Sequence, residues 1–190
     1  MLARRTNLIV LAGIALYGAG YGVFITIVPA FLINSAASAV TLVGVYFTLY
    51  YISISLAQFF AGAWSDRKGR KTVMVLGLLL ASGGILTFHR LESWLSLTLL
   101  ALAGLGLGAF CVASLAFLND RAGPDQKGAV SGAYFFVWGM GYFFGPLLVG
   151  RAGATFGLPW GFTLFASLIA LELVAILFLV QDRRAEGPKR

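Results

Sequence analysis

"GAWSDRKGRK", residues 62–71, packs Asp66, Arg67, Lys68, Arg70 and Lys71 into ten positions. Its flanks, "YYISISLAQFF" at 50–60 and "TVMVLGLLLASGGIL" at 72–86, carry no charge. A short charged segment between two long apolar runs reads as the turn between two membrane-crossing helices. The whole chain agrees: 59% of its 190 residues are hydrophobic and 11% are charged, against about 25% charged in soluble domains. A helix needs roughly 20 apolar residues to cross the hydrocarbon layer. Six stretches qualify, at about 8–33, 40–63, 72–88, 94–118, 129–150 and 160–180. They are continuous rather than alternating, which argues for helices and against barrel strands. The expected fold is an all-α membrane protein of six transmembrane helices, one bundle over 1–190. Residues 181–190 are expected to open a polar linker after it.

The charges divide unevenly between the two ends of these helices. Arg4, Arg5, Arg67, Lys68, Arg70, Lys71, Arg121, Lys127, Arg183, Arg184, Lys189 and Arg190 fall on one side; only Arg90 and Arg151 fall on the other. Short loops rich in Lys and Arg stay in the cytoplasm, so a cell inner membrane with both termini cytoplasmic is expected. The net charge of +7 is clustered at helix ends with no basic stripe, which excludes nucleic acid as a partner. The start, "MLARRTNLIVLAGIAL", has the form of a signal peptide. Its apolar run is too long and ends without a small-residue cleavage site, so a retained first helix is expected. Cys111 is the sole cysteine, and an intramolecular disulfide is therefore impossible.

The chain also repeats. "GAGYGVF" at 18–24 and "GLGLGAF" at 104–110 share G-x-G-x-G-x-F at an offset of 86, and "GVYF" at 44–47 and "GAYF" at 132–135 match at an offset of 88. Two matches in order indicate a three-plus-three repeat. An odd number of helices per copy makes it an inverted repeat, a plan shared by many secondary transporters. Glycines suit such a bundle, because helices in lipid associate through close backbone approach.

The opening stretch has a chemistry of its own. Gly62 leaves room for another helix, Gly69 suits a turn with positive φ, Asp66 accepts hydrogen bonds, and Arg67, Arg70 and Lys71 pair with carboxylates or lipid headgroups. In form, "GAWSDRKGRK" resembles G-x-x-x-D-R-x-G-R-[KR], the loop between helices 2 and 3 of major facilitator superfamily transporters, and the chain resembles the N-terminal six-helix half of such a carrier. The resemblance implies that this loop is a conformational latch, with Arg70 paired to Asp120 at the end of helix 4. It implies a second six-helix half as partner, on the same or another chain, a bilayer, and a small-molecule substrate. "GYFFGP" at 141–146 resembles the helix-5 motif of antiporters in this family, with Pro146 kinking the helix beside Gly141 and Gly145. The arginine that proton-coupled exporters carry in helix 4 is Leu100 here.

Helical spacing offers cavity candidates: Tyr17 and Tyr21 in helix 1, Tyr51, Ser55 and Gln58 in helix 2, Tyr134 and Trp138 in helix 5. The resemblance places helices 1, 2, 4 and 5 around a cavity and helices 3 and 6 outside. Such a wall suits an amphiphilic or sugar-like solute. Glu172 is the one acid inside a span, a possible proton site. His89 stands alone at a helix end, and metal, phosphate-loop, dinucleotide and serine-hydrolase patterns are missing, so no cofactor and no enzymatic activity are expected. Together these features predict secondary active transport of a small organic solute by alternating access, in the direction of export. The alternative is a non-transporting scaffold or partner subunit with the same half fold.

Overall fold

The computed structural model describes residues 5–35, 39–91 and 93–181, without the side chains of 34, 35, 39 and 93. The linker expected at 181–190 lies outside these residues except for Gln181. Six helices account for nearly all of the rest: α1 (Arg5–Ser35), α2 (Ala39–Lys68), α3 (Arg70–Thr87), α4 (Ser93–Asn119), α5 (Lys127–Phe156) and α6 (Leu158–Leu179). All six are long and apolar enough to cross a membrane, and the protein is a multi-pass membrane protein. Several run past the apolar stretches that signal them. α2 continues through the charged residues to Lys68, and α5 runs on to Phe156. The backbone stops at the glycine that follows, not where the lipid-soluble side chains stop.

Those glycines expose the repeat. Gly69 alone joins α2 to α3, and Gly157 alone joins α5 to α6. They are 88 positions apart and have nearly the same torsions: φ 95° and ψ 141° at Gly69, φ 93° and ψ 147° at Gly157. Gly69 N–H donates to Ser65 at 3.0 Å, and Gly157 N–H donates to Gly153 at 2.8 Å. The two joints are one backbone conformation at opposite ends of the bundle.

The sequence motifs serve the same repeat in two ways. Within each copy, the tyrosine of G-x-Y-F pins its helix to the helix carrying the glycines. Tyr46 Oη donates to the Phe24 carbonyl at 2.8 Å, and Tyr134 Oη donates to the Cys111 carbonyl at 3.2 Å. Across copies, the glycines seat one helix on another: α1 packs on α5, and α4 packs on α2. A Cβ on Gly22 would strike the Tyr142 carbonyl, and its counterpart on Gly108 would lie 2.6 Å from the Ile54 carbonyl oxygen. The α1–α5 seam is the tighter one, because α5 contributes glycines as well. A Cβ on Gly141 would overlap the Ala15 carbonyl, and one on Gly145 would lie 2.5 Å from Ala19 Cα. Pro146 has no N–H for the Tyr142 carbonyl four residues earlier, and that freed oxygen is the one lying against Gly22.

This contact predicts a sharp contrast on one helix. Gly141→Ala should lower stability in detergent by ~1–3 kcal/mol through overpacking. Gly139→Ala, whose Cβ would meet nothing within 4 Å, should leave the thermal midpoint unchanged or raised. Melting curves of the two variants decide it.

Candidate functional site

Two groups of residues stand out, one at the basic end of the bundle and one deep between α1, α2 and α5. The basic end centres on Arg70, the first residue of α3. The Gly69 joint turns α3 back beside α2, so the Arg70 side chain meets Asp66 one helical turn earlier, as an ion pair. Its Nε donates to Asp120 Oδ2 at 3.0 Å, just beyond α4, and its Nη1 donates to Ser65 Oγ at 2.6 Å. One guanidinium thereby ties three helices together, using the fork that a lysine lacks. The Arg70 side chain is 19% exposed, whereas Asp66 and Asp120 are more than half exposed. Arg67 and Lys68 face outward, and Lys71 is half-buried. Gly62 makes no close approach within this bundle: a Cβ there would sit 3.8 Å from Val112 Cγ1. A second tie lies nearby. Arg121 Nη2 donates to the Gln181 carbonyl at 2.7 Å, and its guanidinium lies 3.5 Å over the Phe117 ring. The ends of α4 and α6 are joined there.

The deep group is a continuous set of rings with Tyr21 at its centre. Tyr21 lies 6.5 Å from Tyr17, 6.2 Å from Tyr50, 5.7 Å from Trp138 and 6.2 Å from Tyr142, between ring centroids. Tyr21 and Trp138 are half-buried, while Tyr51 and Tyr142 at the edges are exposed. Two donors in the group have no acceptor: Tyr50 Oη and Trp138 Nε1 are buried without a hydrogen-bond partner. These two residues are also repeat mates, 88 positions apart, and they flank Tyr21 from α2 and α5.

The structure thus brings together Tyr17, Tyr21 and Trp138, three of the expected cavity residues. Ser55 and Gln58 are exposed on α2, further along the side of the helix that carries Tyr51. Tyr134 adjoins the set through Cys111 and Tyr17 but is turned to α4. It is 1% exposed, and its hydroxyl is spent on Cys111 and lies 3.5 Å from Ser114 Oγ, so it pins α5 to α4 rather than facing an open surface. Helical period put it on the Trp138 face; its match with Tyr46 was the signal that it is a staple. Tyr50 and Tyr142 were missed, since neither belongs to the polar spacing that drew attention to Tyr51. Glu172 is buried in α6, against Gly13 of α1. His89 stacks on Phe162 at 5.9 Å, at the end opposite Arg70. Among the described residues, no three His, Cys, Asp or Glu side chains are grouped to hold a metal.

A six-helix membrane bundle, built as an inverted repeat of three with a charged hinge at one end, has the architecture of one half of a secondary carrier. The Major Facilitator Superfamily model matches residues 10–190, and the chain belongs to that family. It is similar to multidrug resistance protein MdtG of Escherichia coli, at 30% identity over 142 residues, covering 74% of this chain and 34% of MdtG. It is 32% identical over 98 residues to an uncharacterized transporter of Buchnera aphidicola, covering 51% of this chain and 24% of that one. The fold matches a crystal structure of the peptide transporter POT in complex with sulfate, with a TM-score of 0.70 and 23% identity, covering 90% of this chain and 36% of that one. The matched part therefore spans about a quarter to a third of the length of these relatives.

Exposed ion pairs contribute little to folding, typically ~0.2–1 kcal/mol each. A double-mutant cycle of Arg70→Gln and Asp120→Asn should give a coupling energy in that range, shrinking as salt is added. Denaturation of the four proteins at low and high ionic strength measures it.

Proposed function

We propose that this chain forms one wall of a secondary carrier that exports a small organic solute by alternating access. It works against a second six-helix bundle on the same or another chain, in the inner membrane, with the Arg70 end in the cytoplasm. The observation that carries this reading is the Arg70 junction. Its partners Asp66 and Asp120 are largely exposed, so its ion pairs are weak enough to be broken and remade in each cycle, while the joint at Gly69 fixes their geometry. Gly62, Asp66, Arg67, Gly69, Arg70, Lys71 and Asp120 act together as the latch. Gly62, open within this bundle, and Asp66, paired with Arg70 yet 59% exposed, are left for a helix of the second half.

Tyr21 and the rings around it supply the solute contact. π-Faces take up planar or cationic bodies, and the hydroxyls of the half-buried Tyr21 and the exposed Tyr51 and Tyr142 suit a solute with hydrogen-bond acceptors. An amphiphilic aromatic compound fits that chemistry. The relative named for multidrug resistance supports export of such compounds.

Efflux of ethidium from cells making the protein from its full reading frame tests the proposal. Arg70→Gln and Asp66→Asn should each slow efflux by about tenfold, equivalent to ~1.4 kcal/mol in the barrier, while Gly139→Ala should not change it. Tyr21→Ala should weaken the apparent affinity. Efflux equal to that of cells without the protein would favour a scaffold role.

A further inference from the structure

We propose that Glu172 is a proton-binding site that fastens α6 to α1, occupied while the two helices are seated and vacated when they part. As a coupling-ion site it rests on the carrier reading above; as a proton site it does not.

The repeat shows why this seam differs from its twin. α3 sits on α4 through glycines: a Cβ on Gly77 would lie 2.6 Å from the Gly106 carbonyl oxygen, and one on Gly84 would lie 2.5 Å from that of Leu99. The twin contact joins α6 to α1, and there the same positions are filled. Phe165 stands for Gly77 and touches the Gly20 site, and Glu172 stands for Gly84 and touches the Gly13 site. One seam is locked backbone to backbone, and the other is held apart by side chains, with a carboxyl in the gap.

Glu172 is 8% exposed and its Oε1 is buried without a hydrogen-bond partner; the carboxyl's one polar neighbour is the Gly13 backbone. It occupies a notch that exists because Gly13 has no side chain; a Cβ there would lie 3.0 Å from Oε1 and 2.7 Å from Phe110 Cζ. Gly13 of α1 and Phe110 of α4 are what it faces, and neither carries charge. The other ionisable groups on the packed helices stand apart from it. Arg5 begins α1, Arg70 and Lys71 begin α3, His89 and Arg90 follow its far end beside Phe162, Arg151 and Lys127 lie toward the ends of α5, and Tyr17, Cys111 and Tyr134 form a separate group. An ionised carboxylate in such a place loses its water and gains no cation, so the seated seam holds the neutral acid. The end of α6 at Leu179 is about 10 Å away along the helix, within reach of the basic face. The sign follows: the seated state binds the proton, so acid favours contact and alkali favours separation.

Dicyclohexylcarbodiimide modifies protonated carboxyls in apolar surroundings. In native membranes containing the protein, it should label Glu172, read by mass spectrometry. Labelling should fall by about tenfold per pH unit once the group ionises. Glu172→Gln should remove the label and retain the wild-type melting temperature; Glu172→Asp should keep the label. Hydrogen exchange of α6 in wild type should exceed that of Glu172→Gln at alkaline pH and match it at acid pH. An unlabelled Glu172, or labelling that ignores pH, overturns the proton site; equal exchange at alkaline pH overturns the fastening. Neither readout uses solute, so a loss of ethidium efflux alone would sink the carrier reading and leave this one standing.

Discussion

Everything in this bundle depends on how closely two backbones can approach inside lipid. Water drives no association there, and what remains is contact area and carbonyl dipoles meeting Cα–H groups. The seam between α1 and α5 uses both. Gly18 and Gly22 on one side, Gly141 and Gly145 on the other, leave surfaces where carbonyls lie directly on the neighbouring helix. The Tyr142 oxygen released by Pro146 is one of them. In water such an oxygen would find a solvent partner. In the bilayer it needs the neighbour, so the proline makes α5 depend on α1.

The inverted repeat then shows how far two copies can differ on one backbone plan. The joints at Gly69 and Gly157 share their torsions, yet one is wrapped in charge and the other in Ala154, Thr155, Phe156 and Leu158. The twin seams use corresponding positions, yet one is glycine-locked and the other is held apart by Phe165 and Glu172. The two copies depart from symmetry at the charged joint, at the loosened seam, and where a tyrosine on α2 stands for a tryptophan on α5.

Sequence reading reached the number of spans, because a helix crossing oil must be apolar along its whole length, and that leaves a long record. It found the repeat through G-x-G-x-G-x-F and G-x-Y-F, since those residues sit where backbones touch and few alternatives fit. It also anticipated the Arg70–Asp120 pair and the positive φ of Gly69, by resemblance and by turn chemistry. It did not see that Gly69 and Gly157 correspond, because side chains around a joint outside the oil are free to diverge. Nor did it sort Tyr134 from Trp138. Spacing places residues on a helix face but leaves open which neighbour that face meets, and Tyr134 meets the Cys111 carbonyl.

A joint of one residue has only two free torsions, and here both are held in a region that glycine alone occupies comfortably. α2 and α3 therefore cannot roll about their own axes independently, and neither can α5 and α6. Each pair behaves as a stiff lever with its elbow at one membrane surface, one elbow on each side. The α2–α3 elbow is tied to α4 through the glycines of α3, and the α5–α6 elbow is tied to α1 through the glycines of α5, so each joint is braced by a different neighbour.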